Sequence, residues 1–369
     1  MVRGRTVHKA AHKPATGSAM RSIFSWVERL GPAGYVLQAI VVSAIGIGLV
    51  LAFILIRRAY RHRYFRQRNA KTLLASQQWE GILDGTVPPE TWRLDRLNCE
   101  VVESILLDRL EVAPPEEMER LLKCLRTSGL INIRVHEARH GKGWRRRNAL
   151  LSLGRMRAPE VIPALAEGLE DSNAETRLAA VRGLGRTGMP EAAESILEHL
   201  EQGLSGVSPV PLQNALLLCC RSKPVVLLPY VAHAGDTVRP LLARVLGEVA
   251  SPDMVEELVW LASDSLAEVR ASAARALGRI KSLTALSELA NLVKDPEWFV
   301  RLRAVAALGE LCDPRAIPVL VAALCDENRY VRLRAAHVLS RFEDHLAGVL
   351  DAVMETRDRY ALQALVSEL

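Results

Sequence analysis

The sequence predicts an all-α fold, an α-solenoid of about seven helical hairpins with a 31-residue period. A leucine followed by a glycine recurs at this interval or twice this interval, at Gly154, Gly185, Gly247, Gly278 and Gly309, and the series ends on Ser340. A fixed period of roughly 20 to 50 residues indicates stacked repeats. An arginine also stands eight residues before each of these positions: Arg146, Arg177, Arg239, Arg270, Arg301 and Arg332.

The third repeat is predicted to be degenerate. No glycine occupies position 216, but a shift of four residues aligns Leu228-Pro229 with Ile162-Pro163 and Ile317-Pro318. The shift follows a turn-rich insertion at 203–211, whose Gly and Pro residues favour a loop.

Each repeat is predicted to contain two helices. The first carries Arg-x-x-Ala-x-x-x-Leu-Gly, with small residues where backbones approach, and the second begins near a proline such as Pro159, Pro190 or Pro314. An aspartate six residues before the arginine is expected to cap the next helix and to pair with an arginine, forming a ladder. These aspartates are Asp171, Asp264, Asp295 and Asp326.

The repeats resemble HEAT repeats, in the short bacterial form also found in phycobilin-lyase-like repeat proteins. The clearest match is residues 300–309 followed by 313–320, and the resemblance covers roughly residues 144–345. It implies a surface that binds a partner and specifies no particular activity.

Five segments are predicted along the chain. They are a basic tail, largely disordered; a transmembrane helix; a basic juxtamembrane helix; an irregular helical cap; and the solenoid. Their ranges are 1–33, 34–56, 57–78, 79–143 and 144–369.

Charge is divided unevenly between these segments. Residues 1–71 contain 13 Lys or Arg and one acid, whereas the remainder contains 35 basic and 41 acidic residues. A nucleic-acid-binding solenoid is expected to show a basic stripe along the array, so this balance argues against nucleic acid.

Residues 34–56 carry no charge and are long enough to cross a hydrocarbon core of about 30 Å. Basic residues follow where a signal peptide would have a cleavage site, so a retained single-pass anchor is favoured. The positive-inside rule places the solenoid in the cytoplasm, against the inner (plasma) membrane. The arginines expected to contact anionic lipid are Arg57, Arg58, Arg61, Arg63, Arg66 and Arg68.

Two further features concern the amino-terminal region. Ala44, Gly48 and Ala52 are four residues apart, a spacing that permits close contact with another membrane helix. Met1 and Met20 are both candidate start residues, because amphipathic character first appears at Met20.

A second motif is His136-Glu137-Ala138-Arg139-His140, which resembles the zinc-peptidase motif. That resemblance implies His136 and His140 as zinc ligands and Glu137 as general base, with Glu160 as a third ligand. Six positive charges between Arg134 and Arg147 oppose cation binding, so we interpret the match as coincidental and expect no metal or other cofactor.

The same basic cluster has a second interpretation. Arg145, Arg146 and Arg147 either form a solvated helix start or bind an anionic lipid headgroup or an acidic partner.

The cysteines suggest a reducing compartment. Cys219, Cys220 and Cys325 lie among apolar residues and are expected to be buried free thiols.

The predicted function is a non-enzymatic scaffold or adaptor that holds a partner protein, itself membrane-associated, at the cytoplasmic membrane face. The second helices, such as residues 160–171, 253–262 and 315–326, are expected to form its concave surface. Glu256, Glu257 and Trp260 are the expected contacts.

Resemblances supply a context and the alternatives. The layout is similar to bacterial membrane-anchored HEAT proteins associated with processive glycosyltransferases, which implies cell-envelope polysaccharide assembly. The alternatives are a membrane-anchored zinc metallopeptidase and a bilin-lyase-like protein that attaches tetrapyrroles. A HEAT-repeat iron hydroxylase family places His-Glu pairs in several units. Only His136-Glu137 occurs here, so we do not assign the sequence to that family.

Overall fold

The computed structural model describes residues 32–201, 203 and 206–368, and this part of the chain contains helices and no strand. The predicted tail at 1–33 lies almost wholly outside the described residues, and so does Met20. The described residues form two units. One contains 32–78 and 96–101, and the other contains 79–95 and 102–368.

The first unit is dominated by one long helix, α1, which spans Pro32–Gln77. At about 1.5 Å rise per residue it is roughly 70 Å long. The apolar stretch predicted at 34–56 and the basic stretch after it are continuous in this helix. It is long and apolar enough to cross a membrane, by length and composition.

The second unit begins with short helices that precede the regular repeats. They lie in the segment predicted as an irregular helical cap, and the last of them, α6, ends at His140 before Gly141. The helices are α2 Trp79–Asp84, α3 Pro89–Arg93, α4 Arg96–Leu110 (which starts in the first unit), α5 Pro115–Thr127 and α6 Leu130–His140.

Seven helical hairpins follow within the described residues, as the 31-residue period predicted. The first helices are α7 Trp144–Met156, α9 Ala174–Thr187, α11 Pro209–Cys220, α13 Arg239–Val249, α15 Ala267–Arg279, α17 Trp298–Leu311 and α19 Arg329–Leu339. The second helices are α8 Ile162–Ala166, α10 Pro190–Glu201, α12 Leu228–His233, α14 Val255–Leu261, α16 Leu286–Leu292, α18 Ile317–Ala323 and α20 Leu346–Glu355. Helix α21, Arg359–Val366, packs on the last hairpin.

The four-residue shift in the third repeat is confirmed. Helix α12 starts at Leu228, after a 3₁₀ turn that begins at Pro224. Helices α8 and α18 start in the same way at Ile162 and Ile317, after 3₁₀ turns that begin at Pro159 and Pro314. Proline suits this first turn because its missing N–H has no helical acceptor there.

The core lies between the two layers of helices. The leucine before each repeat glycine, or before Ser340 in the last hairpin, is buried: Leu153, Leu184, Leu246, Leu277, Leu308 and Leu339. Cys219 and Cys220 occupy the leucine and glycine positions of the shifted repeat, and both are fully buried. Stacking buries one apolar face of each hairpin against its neighbour, which is the main stabilising term.

An ion-pair ladder connects successive hairpins, as predicted. Arg301 donates from Nε and Nη2 to the carboxylate of Asp326 at 2.7 and 3.0 Å, and from Nη1 to the backbone oxygen of Asp295 at 2.9 Å. Arg270 makes the same bidentate contact with Asp295 at 2.7 and 2.9 Å. Each arginine therefore joins two successive turns. The same pairing recurs in Arg146–Asp171 and Arg239–Asp264.

The prediction that these aspartates cap the helices is wrong. Asp295 accepts a hydrogen bond from the backbone N–H of Glu297, and Glu297 is the residue at the cap position of α17. In α9 and α19 the cap is an asparagine, Asn173 or Asn328. Each ladder aspartate lies two residues before the cap position, so its carboxylate braces the turn and binds arginine.

Acid should weaken this ladder in a defined pH window. Burial alone would raise the pKa of Asp295, but hydrogen bonds from Arg270 and from the backbone of Glu297 outweigh it, so the pKa falls below its ordinary 3.8. A lowered folded-state pKa contributes stability above pH 3.8 that is lost as pH falls through the folded-state value. Denaturation of Asp295→Asn and the native protein should therefore show a stability gap that narrows below pH 3.8. A gap independent of pH would contradict this assignment.

Candidate partner-binding face

The exposed side of α10 carries four glutamates. Glu191, Glu194, Glu198 and Glu201 are three or four residues apart, which places them on one helical face, and all four are exposed. None forms an ion pair with a residue in the described part of the chain. Burial raises the pKa of Tyr230 in the next hairpin, and the charges of Glu198, Glu201 and Glu194 raise it further. The acidic field of α10 therefore reaches α12.

The three residues predicted to bind a partner lie on the same layer. Glu256 and Glu257 are exposed on α14, and Trp260 is 59% exposed. Glu256 and Trp260 stand two periods after Glu194 and Glu198, so they occupy equivalent places in the repeat. These three residues lie on the second helix two hairpins after α10, and their role in binding stays a prediction.

The repeat positions of Glu194 and Glu198 carry no acid in α12, α16 or α18, where they hold Pro229 and His233, Ser287 and Asn291, and Pro318 and Ala322. The position of Glu257 is still acidic in α16, as Glu288. We name the second-helix surface from α10 to α14 the acidic face, defined by Glu191, Glu194, Glu198, Glu201, Glu256, Glu257 and Trp260.

The exposed side of the first helices has the opposite charge. Arg182, Arg244 and Arg275 occupy one repeat position in α9, α13 and α15, and all three are exposed. Arg275 pairs with Glu248 at 2.5 Å. The two layers of the solenoid therefore present different charges to solvent.

The basic cluster at 134–147 is largely engaged inside the protein. Arg146 pairs with Asp171 at 2.9 Å as part of the ladder, and Arg147 pairs with Glu175 at 3.1 Å. Arg145 stays exposed. Arg146, predicted as part of a binding cluster, therefore has a structural role, because the repeat requires an arginine at this position.

The residues of the zinc-peptidase-like motif are placed differently from a metal site. His136 and His140 stack with ring centroids 4.5 Å apart, on one face of α6. Glu137 is ion-paired to Arg134, and Glu160 binds Arg126 at 2.6 Å. Across residues 32–201, 203 and 206–368, no group of three His, Cys, Asp or Glu side chains converges in a way that could hold a metal. The general base and the third ligand that a zinc peptidase would use, Glu137 and Glu160, are therefore both neutralised by arginine.

The cysteine predictions are confirmed in part. Cys219 and Cys220 are buried, and burial raises their pKa to about 11 and about 12. The expected burial of Cys325 is wrong, since it is exposed. It lies in the turn after α18, beyond the helical face that packs in the core.

An exposed aromatic row in the last hairpins was missed from the sequence. The rings of Trp298 and Tyr330 lie 5.9 Å apart, and the guanidinium of Arg332 lies 5.9 Å from the Tyr360 ring centroid. Trp298 and Tyr360 are two periods apart, and this spacing is the feature of the sequence that could have predicted the aromatic row. Arg332 donates to the backbone oxygen of Asp326, and its contact with Tyr360 takes the place of the ladder carboxylate.

The family model for HEAT repeats matches residues 132–207, 225–302 and 286–369, which is more than half of the chain. The chain belongs to the HEAT-repeat family. The HEAT match begins within α6, so the repeat pattern reaches beyond the 144–345 estimated from the sequence. Among curated proteins, none matches this sequence.

Several solved structures resemble the HEAT solenoid at low sequence identity. Human deoxyhypusine hydroxylase in complex with glycerol is 18% identical, with 66% of this chain and 96% of that chain covered and a TM-score of 0.29. An engineered protein is 19% identical, with 83% and 94% covered and a TM-score of 0.36. Kap95p, solved with RanGDP, is 17% identical, with 74% and 46% covered and a TM-score of 0.43. At these identities the likeness concerns the fold alone.

Proposed function

We propose that this protein is a non-enzymatic scaffold whose acidic face binds a basic segment of a partner protein. A HEAT solenoid is consistent with protein binding. The observation that supports this particular face is the set of four exposed glutamates on α10 that lack an ion pair within the described residues. Trp260, on the second helix two hairpins farther along, adds a large exposed apolar side chain.

The acidic face is unfavourable to the protein on its own. Like charges three or four residues apart on a helix destabilise it by about 0.2–0.5 kcal/mol per pair. A partner bearing Lys or Arg would remove this repulsion and add charge-assisted hydrogen bonds. Exposed tryptophans are frequent centres of binding energy in interfaces, and the polar residues around them fix orientation.

The proposed location is the inner membrane of a bacterium, with α1 as a single anchor and the solenoid in the cytoplasm. Within its own unit, the apolar side chains of α1 are exposed, and six arginines follow them on the same helix. That order suits a hydrocarbon span followed by an anionic headgroup layer. Ala44, Gly48 and Ala52 would allow another membrane helix to approach α1. The proposed lipid contacts are Arg57, Arg58, Arg61, Arg63, Arg66, Arg68 and, in the solenoid, Arg145.

A membrane-associated partner follows from this location. The similar layout of bacterial membrane-anchored HEAT proteins associated with processive glycosyltransferases makes polysaccharide assembly the proposed context. The geometry favours neither alternative. Glu137 and Glu160 are bound to arginines, which disfavours a metallopeptidase, and nothing in the described residues specifically supports tetrapyrrole attachment.

Photo-crosslinking in native membranes tests this proposal. A benzophenone amino acid placed at Trp260 of the full-length protein should give a defined crosslinked partner, identified by mass spectrometry. The variant Glu194→Gln/Glu198→Gln, with the benzophenone retained, should reduce that yield by about tenfold, since two charge-assisted contacts are lost. Helix stability should not fall, because like-charge repulsion is relieved.

The matched control is Glu343→Gln/Asp344→Asn, which removes two exposed acids from the last hairpin. It should leave the yield unchanged. If both double variants gave the same crosslinking yield, the acidic face would not be the binding surface. Recovery of the native protein in the soluble fraction after alkaline extraction would contradict the anchor and leave the acidic face to be judged by the crosslinks.

A further inference from the structure

Arginine recurs at one repeat position along the first three hairpins. Arg155, Arg186 and Arg221 follow Gly154, Gly185 and the equivalent Cys220, and the four-residue shift preserves the alignment in the third hairpin. Each lies at the end of a first helix or just beyond it, in α7, α9 and α11. Stacking of the repeats therefore brings the three side chains to one edge of the solenoid.

These arginines line a cavity of about 470 Å³. Arg157 also lines it, in left-handed backbone conformation with φ of 51°. Its Nη2 atom lies 3.7 Å from the position that a Cβ of residue 188 would take, so Arg157 reaches across to the turn of the next hairpin. A cavity of this size lies within the range of small-molecule sites, roughly 300–1,000 Å³.

Only one of the four guanidinium groups is neutralised. Arg155 donates to Asp108 at 2.6 Å and to Glu111 at 2.8 Å. Arg157, Arg186 and Arg221 form neither a hydrogen bond nor an ion pair through their side chains with the residues that the structure describes. Three uncompensated positive charges therefore converge on one concave surface.

Helix geometry alone does not account for this cluster. Arginine near the end of a helix interacts favourably with the carbonyl groups there. That effect acts within each helix and requires no convergence. The fourth and sixth hairpins have Glu248 and Glu310 at the same repeat position, and the arginines there in the fifth and seventh, Arg279 and Arg341, pair with these acids. Consecutive arginines at this position occur only in the first three hairpins, which form the cavity.

We propose that this cavity binds an anion with two linked phosphate groups. The planar guanidinium group matches phosphate oxygens in a bidentate arrangement. A diphosphate carries about three negative charges near neutral pH, which corresponds to Arg157, Arg186 and Arg221. The site lies on the first-helix edge, and its occupancy does not depend on the acidic face.

Calorimetric titration of the full-length protein in a neutral detergent with inorganic pyrophosphate tests the site. At constant ionic strength we expect saturable one-to-one binding, weaker for orthophosphate. Arg186→Gln and Arg221→Gln should each weaken pyrophosphate binding by about tenfold or more, since each removes a charge-assisted contact. Both side chains are exposed, so folding should be preserved, and thermal unfolding checks this.

Arg244→Gln is the matched control, because it removes one exposed arginine of a first helix outside the cavity. It should bind pyrophosphate like the native protein. Lack of saturable binding, or an equal loss in all three variants, would overturn the proposal. The ligand could be a soluble compound or a lipid headgroup, and nanodiscs distinguish them. Weaker pyrophosphate binding in nanodiscs containing a polyprenyl diphosphate than in nanodiscs of equal charge containing phosphatidylglycerol assigns a lipid source, and equal binding assigns a soluble one.

Discussion

Replacing Arg301 with methionine should lower the free energy of unfolding by about 3–5 kcal/mol, the usual cost of removing one partner from a buried ion pair. Arg301 is 7% exposed, and its substitution leaves the carboxylate of Asp326 without its bidentate partner. The backbone oxygens of Asp295 and Pro296 also lose a donor. Chemical denaturation in mild detergent, followed by far-ultraviolet circular dichroism, measures the change.

Two comparisons separate the ladder from a general effect of charge. Arg315→Met removes an exposed arginine that is paired with Asp313, two residues away in the chain. The free energy of unfolding should change little. Arg301→Met/Asp326→Asn should recover part of the loss, because no unpaired carboxylate remains. If Arg301→Met were no more damaging than Arg315→Met, the ladder would not be a source of stability.

The periodic features of the fold could be predicted because each is repeated along the chain. Leucine before glycine marked the repeat in five hairpins and leucine before Ser340 marked it in a sixth, and the Arg–Asp spacing predicted the ladder. Even the irregular third repeat was recoverable, since Leu228-Pro229 preserved the start of a second helix. Repetition gives several independent observations of the same packing requirement.

Features that depend on one location were harder to predict. Cys325 has apolar neighbours in the sequence, but its exposure depends on where α18 ends. Arg146 was interpreted both as a repeat arginine and as part of a local basic cluster, and only its contact with Asp171 in the structure decides between the two. The cavity at Arg186 required the turns of three hairpins to be placed together. A local sequence window contains none of these contacts.

The candidate surfaces follow from the same distinction between repeated and variable positions. Packing and the ladder fix the leucine, glycine and arginine of each unit, so the remaining exposed positions are free to vary between hairpins. Glutamates occupy them in α10, whereas α18 has neutral residues there. A solenoid thus acquires different surfaces along its length without changing its core. We infer that binding specificity lies in these variable positions.

Substitution of Gly154 by alanine should lower the free energy of unfolding by about 3 kcal/mol, toward the upper end of the usual cost of overpacking. A Cβ atom at this position would lie 2.3 Å from the backbone oxygen of Gly183 and 2.5 Å from its Cα. Backbone atoms cannot rotate away as a flexible side chain can, so α7 and α9 would have to separate. Loss of contact between the first two hairpins should follow, and denaturation of the full-length protein measures it.

Two other glycines make the prediction specific to helix contact. Gly247→Ala should have a smaller effect, since its nearest contact would be the backbone oxygen of Ser272 at 3.1 Å. Gly348→Ala, in α20, should raise stability by about 0.5–1 kcal/mol, because no atom lies within 4 Å and alanine favours a helix. The order of stability should therefore be Gly348→Ala, native, Gly247→Ala, Gly154→Ala. An equal response at all three positions would mean that helix propensity, and not the close approach of neighbouring first helices, determines where glycine occurs in the repeat.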